Sequence, residues 1–376
     1  MVKPSLVIPA GLLGMAVGRI IPRIVPTPLG TPAVSTRTTA PFGSPAPSAQ
    51  GELDIAREAL GKLPNAPHDT SLGAGTTTAF QLIAFNELFE VAFFSSLLNN
   101  ITHGVPGYNA SRQNAHVIRV ALAQEKQHAL GAIATLEAAG AFVPTQCKYR
   151  FPATNFREAI LVAGIQTSLV MGALQDANVL FTKDGAAGLV RIVSSVIGQE
   201  GEQNGYYRLL LRLIPPESPF LTTVPGAFAY SALQNYVVPG SCPYPLSNIH
   251  LPIFPQILTN GHPMALVPPQ DQTLTFEADL KVSNSSAAAS RHLGGDGRGL
   301  FLTYTNGQQL PFSVPLRNVK WQGTTINFQA EFPYEQHIMG GLTHGALTTG
   351  CNFTDPDAVV GAALAGPAII QVENRI

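Results

Sequence analysis

The sequence predicts a mixed α+β chain in which a four-helix bundle precedes a small antiparallel β-sandwich. Three observations carry that expectation. Between about Thr78 and Leu213, apolar residues recur at helical spacing in four long blocks joined by modest loops. After about residue 265 the period falls from 3.6 to 2, in short runs separated by turn residues. Each of the four helical blocks also carries a polar residue on an otherwise apolar stripe, and a bundle can bring such residues together.

The chain begins with Lys3 followed by an apolar run, Leu6 to Val17, and Ala16-Val17-Gly18 supplies a small-residue cleavage site. Residues 1–18 are therefore expected to act as a signal peptide, and the protein to be secreted or held in a cell wall. A plain apolar tail is the alternative, since Pro4 and Pro9 interrupt the run. Residues 19–50 are rich in Pro, Thr, Ser and Ala, with prolines at 22, 26, 28, 32, 41, 45 and 47. Such a stretch cannot bury a core and reads as a linker suited to O-glycosylation. The domain plan is then a helical region over 51–262 and a β region over 265–376.

Length and charge bound the function. A chain of 376 residues is long enough for two domains, and 45% hydrophobic content with 35 Gly and 31 Pro suits a large core with many turns. Only 12% of residues are charged and the net charge is -1, so no basic field exists to hold nucleic acid or an anionic membrane. Beyond the N-terminal run, no segment offers about 20 apolar residues free of charge, so no transmembrane helix is expected. Four N-x-S/T sequons lie at Asn100, Asn109, Asn284 and Asn352. Of the three cysteines, Cys147 precedes the third long helix and Cys242 follows the last helix. A disulfide could clip the two ends of the helical region and leave Cys351 free; no spacing matches a zinc pattern.

A short helix is expected from Glu52 to Leu60. The first long helix runs from about Thr78 to Asn99, with threonines before it as caps. The second runs from about Ser111 to Ala139 and stops at Gly140. The third starts near Asn155, where Asn155 and Glu158 have the spacing of a capping box, and ends before Gly185. The fourth runs from about Ala186 to Leu213 and is stopped by Pro215-Pro216. A shorter helix, Gly226 to Tyr236, is expected to pack on the outside. Strands follow from strict alternation: Leu274 to Val282, Leu300 to Tyr304, Leu310 to Val314 and Ile326 to Phe332, with Ala368 to Val372 last. Asn306-Gly307 marks a hairpin turn.

The chemistry lies on the helices. On the second, Glu125 and His128 are three residues apart and project from one face. That face is otherwise apolar, through Ile118, Leu122, Ala129, Ala132 and Leu136. A carboxylate and an imidazole on a core stripe must be paired, protonated or bound to a metal. The first helix is apolar nearly all round, yet carries Glu87 and Glu90. One exposed edge would explain Glu90 better than Glu87. The third helix places Gln166 on the stripe of Ala159, Ala163, Val170 and Ala173. The fourth places Glu200 and Gln203 between Val193, Val196 and Tyr207. Di-metal bundles use one Glu on each of two helices and Glu-x-x-His on each of the other two. Here Glu87, Glu125, His128 and Glu200 fit that pattern, whereas Gln166 and Gln203 replace a carboxylate and an imidazole. One site built of oxygen and nitrogen donors would suit iron, manganese or zinc. The competing expectation is no metal at all, with Gln166 and Gln203 hydrogen-bonded to the carboxylates in a buried polar network.

Three helical segments, Phe85 to Phe94, Ala123 to Leu130 and Ile197 to Gln203, resemble a ferritin-like family of secreted fungal proteins. So do Cys147 to Pro152, Ser241-Cys242-Pro243 and Ala365 to Ile369. That family includes late-sexual-development and stress-response types and is similar to plant desiccation-related proteins. The likeness runs from about Thr76 onward and is most specific at Gln124-Glu125-Lys126-Gln127-His128. It implies a ferritin-like bundle, metal ligands at Glu87, Glu125, His128 and Glu200, and a Cys147–Cys242 disulfide. Gln166 and Gln203 depart from the pattern and argue against a two-metal oxidase.

The first functional expectation is a secreted stress- or development-linked protein with a structural, protective or metal-buffering role. The alternative is a metal-dependent iron oxidase or ferroxidase with the same four ligands. A third is a protein that binds a cell-wall glycan through its β region, with Trp321, Tyr304 and Tyr334 as the aromatic candidates. The oligomeric state is left open.

Overall fold

The computed structural model describes residues 47–282 and 289–376. The expected signal peptide, nearly all of the linker and the Asn284 sequon lie outside those residues. The chain is mixed α/β, with helices first and two antiparallel-rich sheets after them. The first five helices are α1 (Ala49–Glu58), α2 (Ala74–Thr102), α3 (Arg112–Ala138), α4 (Phe156–Lys183) and α5 (Ala187–Leu210).

Local chemistry sets their ends. Ser48 caps α1 and Ser111 caps α3, each accepting a backbone N–H. The Glu158 backbone N–H donates to the Asn155 side chain at the start of α4, 2.9 Å. The Glu158 carboxylate reaches back one residue further than a standard capping box, to the Thr154 N–H. The N-terminus of α2 has no side-chain cap of its own. Asp184, beyond the end of α4, accepts from the Thr76 N–H at 2.7 Å and lies where a Cβ on Gly73 would sit. That contact pins the start of α2 to the end of α4.

Helix α2 packs on α3 and α4, and α4 packs on α5. The interior between them is filled by Phe85, Phe89, Phe94, Ile118, Ile165 and Tyr207. Helix α2 is buried nearly all round, as its composition requires. By length and composition α2 and α4 could each cross a bilayer, but 72% and 78% of their most apolar windows are packed inside the protein.

The short helix α6 (Gly226–Leu233) corrects an expectation. Every residue from Ala227 to Leu233 is buried, because the helix carries no charge and is wedged against α2, α4 and the last strand. The strands are β1 (Ile257–Thr259), β2 (Met264–Val267), β3 (Gln272–Asp279), β4 (Phe301–Asn306), β5 (Phe312–Pro315), β6 (Arg317–Gln322), β7 (Thr325–Phe332), β8 (Leu342–Thr348) and β9 (Ala363–Val372). They form one sheet in the order β1-β3-β7-β6 and another in the order β2-β9-β8-β4-β5. All pairs are antiparallel except β2 with β9, which run parallel. The Asn306-Gly307 step opens a longer loop than a two-residue hairpin turn. The Asn306 side chain instead donates to Leu342 O and Thr343 Oγ1, tying β4 to the start of β8.

The two sheets share a core of Leu274, Phe276, Phe328, Tyr304, Leu302 and Ile370. The change of period suggested that this core would be separate from the helical one. The sheets do keep this cluster of their own, but the five-stranded sheet also packs on the helices, where Leu342, Ala346 and Ile369 belong to the helical core. All seven residues of β8 and all ten of β9 are buried, because helices cover one face and the second sheet covers the other. Glu217 reinforces the junction. It accepts from Ser168 on α4, Asn204 on α5 and Gln371 on β9, at 2.7, 3.2 and 2.7 Å.

Cys147 and Cys242 form a disulfide with Cα atoms 4.3 Å apart across 95 residues of chain. Replacing both by serine should cost about 3–5 kcal/mol from restored unfolded-chain entropy. Chemical denaturation of the two proteins checks this; a loss below about 1 kcal/mol would count against it. Residues 265–376 expressed alone should expose the Leu342, Ala346 and Ile369 face. The fragment should bind a hydrophobic dye and melt without cooperativity. A sharp, reversible melt would show that the sheets fold without the helices.

Candidate metal centre

Glu87 comes from α2, Glu125 and His128 from α3, and Glu200 from α5. Their ligand atoms all lie within 4.8 Å of one another. The three carboxylates are 0–1% exposed and the His128 side chain 14%. Such a group could hold a metal ion. His128 Nδ1 sits 2.9 Å from Glu125 Oε2 and 3.6 Å from both Glu87 Oε2 and Glu200 Oε1. The i, i+3 step on α3 directs Glu125 and His128 to one side, and the flanking Ile118, Ala129, Ala132 and Leu136 carry that side into the interior.

Glu125 is the one carboxylate of the three with hydrogen-bond donors. Gln203 Nε2 donates to its Oε1 at 2.6 Å. The Gln203 carbonyl in turn accepts from the Tyr207 hydroxyl, 2.7 Å, which fixes which end of the amide faces Glu125. Neither oxygen of Glu87 and neither oxygen of Glu200 has a hydrogen-bond partner among the described residues. Four buried carboxylate oxygens without a hydrogen bond, two of them 3.6 Å from one imidazole nitrogen, form a donor set short of positive charge.

Burial accounts for the proton affinities. It lifts the Glu87 carboxyl from 4.5 to about 7, against the pull of His128. Burial likewise raises Glu200, with the Glu125 charge adding to it. For His128 burial works downward, but Glu125 and Glu87 outweigh it and hold the imidazole protonated well above its ordinary value. Glu90 is 2% exposed, which corrects the exposed-edge expectation. Burial and repulsion from Glu200, Glu125 and Glu87 raise it, and its Oε2 accepts from Asn86 Nδ2 at 3.0 Å. It is a fourth buried carboxylate on the flank of the centre.

The two glutamines behave differently. Gln203 is a donor to Glu125. Gln166 turns away and donates to the Tyr236 hydroxyl at 2.5 Å, which donates to Met264 Sδ at 3.2 Å. Gln166 and Glu87 line a cavity of about 50 Å³ without bonding to each other. The expected all-amide network is therefore only half present. Asn86, Gln124 and Gln199 were not singled out by sequence reasoning. Gln124 Oε1 accepts from Gln199 at 3.0 Å and from Gln203 at 3.4 Å. The i, i+4 spacing of Gln199 and Gln203 was the available signal.

Of the three aromatic candidates on the β region, one is core and two are half-buried. Tyr304 is wholly buried with its hydroxyl on Glu331 O, 3.0 Å, and Trp321 is half-buried with its indole N–H on Gly295 O, 2.8 Å. Tyr334 is half-buried against the inter-sheet core. Of the sequons, Asn109 and Asn352 are exposed in loops and Asn100 is half-buried in the last turns of α2. Cys351 is an exposed free thiol.

No protein-family model matches the chain, and no curated protein matches it either.

Glu87, Glu90, Glu200 and His128 all bind protons more tightly folded than unfolded. Linkage then makes their contribution to stability fall as pH rises, for Glu87 between 4.5 and about 7. Glu87→Gln mimics the protonated acid. In chelator-treated protein, raising the pH from 4.5 to 7.5 should cost wild type on the order of 3 kcal/mol more than the variant. Denaturant titrations at the two pH values measure it; parallel curves for the two proteins would refute the assignment.

Proposed function

We propose that this chain is a secreted protein of the ferritin-like type, a four-helix bundle backed by a β-sandwich. Its centre binds one iron, manganese or zinc ion, and its role is metal-buffering or protective, in stress or development. One observation carries the metal reading. Glu87 and Glu200 each bring an oxygen to 3.6 Å from the imidazole that Glu125 already holds, and none of their four oxygens has a hydrogen bond among the described residues. A divalent cation, held by Glu87, Glu125, His128 and Glu200, would supply the positive charge that this set lacks. Three carboxylates and one imidazole suit iron, manganese or zinc. A bound ion would contribute Lewis-acid chemistry and, as iron, redox chemistry. With Gln166 turned to Tyr236 and Gln203 donating to Glu125, a second ion would find Glu90 as its one further carboxylate there among the described residues and no second imidazole. The family and the secreted setting rest on the motif resemblance and the N-terminal run.

An iron oxidase is the second reading. It is favoured by the partial exposure of His128, which leaves the centre within reach of small molecules. Glycan binding through the β region keeps only the half-buried Trp321 and Tyr334 of its three aromatic candidates.

Elemental analysis of protein secreted from a eukaryotic host should find close to one transition-metal ion per chain. His128→Ala should weaken binding by more than about 100-fold while the far-ultraviolet circular dichroism stays helical. Fully folded protein that takes up none of the three ions would sink the proposal. Oxygen consumption on adding ferrous ion would promote the oxidase; its absence with metal bound would favour buffering.

A further inference from the structure

A pocket of about 640 Å³ lies beside the metal centre. That is within the size range of sites for small organic ligands. Phe80, Ile83, Ala132, Leu189, Val193 and Val196 make most of its wall apolar, and Glu87 and His128 are part of it. The chain leaving α1 forms another side, through residues such as Leu63 and Pro67. That segment is held over α3 by Gln124 Nε2 donating to Ala59 O, 3.5 Å, and by Thr135 Oγ1 against His68 Nδ1, 3.3 Å.

The polar atoms of this wall give a second, independent indication. Its buried side-chain atoms without a hydrogen-bond partner are Glu87 Oε1 and Oε2, Gln127 Oε1 and Gln199 Oε1, among the described residues. All four are acceptors. The Gln199 amide is oriented by its own donation to Gln124, so its oxygen is the free end. An apolar pocket whose unpaired buried groups all accept calls for a ligand that is apolar in its body and brings a donor.

We infer that this pocket binds a neutral, hydroxyl-bearing apolar molecule of the fatty-alcohol class. Its hydroxyl faces Gln127, Gln199 and Glu87, and its hydrocarbon body lies against the aliphatic wall. A carboxylic acid is disfavoured, because its anion would meet Glu87 and the carboxylates behind it. The inference goes beyond metal binding and does not need it, since Gln127 and Gln199 are not ligands of the ion.

The test uses the full chain, chelator-treated and metal-loaded in parallel. N-phenyl-1-naphthylamine serves as the fluorescent probe, displaced by decan-1-ol, by decyl methyl ether and by decanoate. Decanol should displace it at roughly tenfold lower concentration than the ether, which has lost only the donor. Decanoate should be the weakest of the three. Gly131→Phe should reduce all binding at least tenfold; a Cβ there meets only Leu63, at 3.5 Å, so the helix can take the side chain. Ile192→Trp fills the same pocket from an exposed position on α5 and guards against a folding defect in the first variant. The double variant Gln127→Leu, Gln199→Leu should shrink the alcohol's advantage over the ether to what Glu87 alone supplies. No probe uptake, probe binding untouched by both filling variants, or an ether that binds as well as the alcohol would overturn the inference. Metal content measured on the same samples separates this outcome from failure of the metal reading.

Discussion

Four carboxylates and one imidazole in a largely buried cluster are the constraint around which the helices are arranged. An ionised carboxylate taken out of water costs several kcal/mol unless charge or hydrogen bonds compensate it. Glu87, Glu90, Glu125 and Glu200 are each 0–2% exposed, and His128 is the single basic group among them. The chain meets part of the demand itself. His128 holds its proton more tightly than a free imidazole, Gln203 serves Glu125 and Asn86 serves Glu90. Glu87 and Glu200 are left to protons or to an added cation. Without either, these side chains would push α2, α3 and α5 apart.

The scaffold supplies the opposing rigidity from outside the centre. Asp184 fastens α2 to the end of α4, and the disulfide joins the chain before α4 to the chain after α6. Helix α4 also lies close on residues 222–224. A Cβ on Gly172 would meet the Thr222 carbonyl and the Val224 side chain, so only glycine permits that approach. Thr222 continues the connection into the sheets, donating to Leu342 O and accepting from the Gly307 N–H. The five-stranded sheet thus acts as a backing layer for α4 and α6, and Glu217 bonds α4, α5 and β9 at one point.

Sequence periodicity was most legible where one face of an element meets solvent. Helices α3 and α5, and strands β3 and β7, alternate or repeat clearly because polar residues mark their outer faces. Strand β8 was missed because both its faces are covered, leaving Leu342 to Thr348 with no polar alternation to read. Strand β6 was missed for the opposite reason: it is an edge strand with mostly exposed or half-buried residues. The burial of α6 was misjudged because a short apolar helix reads alike on a surface or between layers, and only the sheet beside it decides. At the centre, Glu87, Glu125, His128 and Glu200 were legible because charged groups interrupt apolar stripes at helical spacing. The roles of Gln166 and Gln203 were not, since an amide can donate or accept and its neighbours choose which.

Those two amides make the centre lopsided. Carboxylates come from α2, α3 and α5, and none comes from α4, where Gln166 is committed to Tyr236 and through it to Met264 on β2. The α4 corner therefore serves the helix-to-sheet contact and contributes no charge to the ligand set. At the other flank Gln203 cannot leave Glu125 without also breaking its bond to Tyr207. Restoring a carboxylate at 166 alone would not rebuild a two-metal centre: it would add a fifth buried acid and strip Tyr236 of its donor. The remaining donors converge on the side of Glu87 and His128, where the large pocket meets the centre. Under the metal reading proposed above, a single ion with one approachable side is expected, because of where the two amides make their hydrogen bonds.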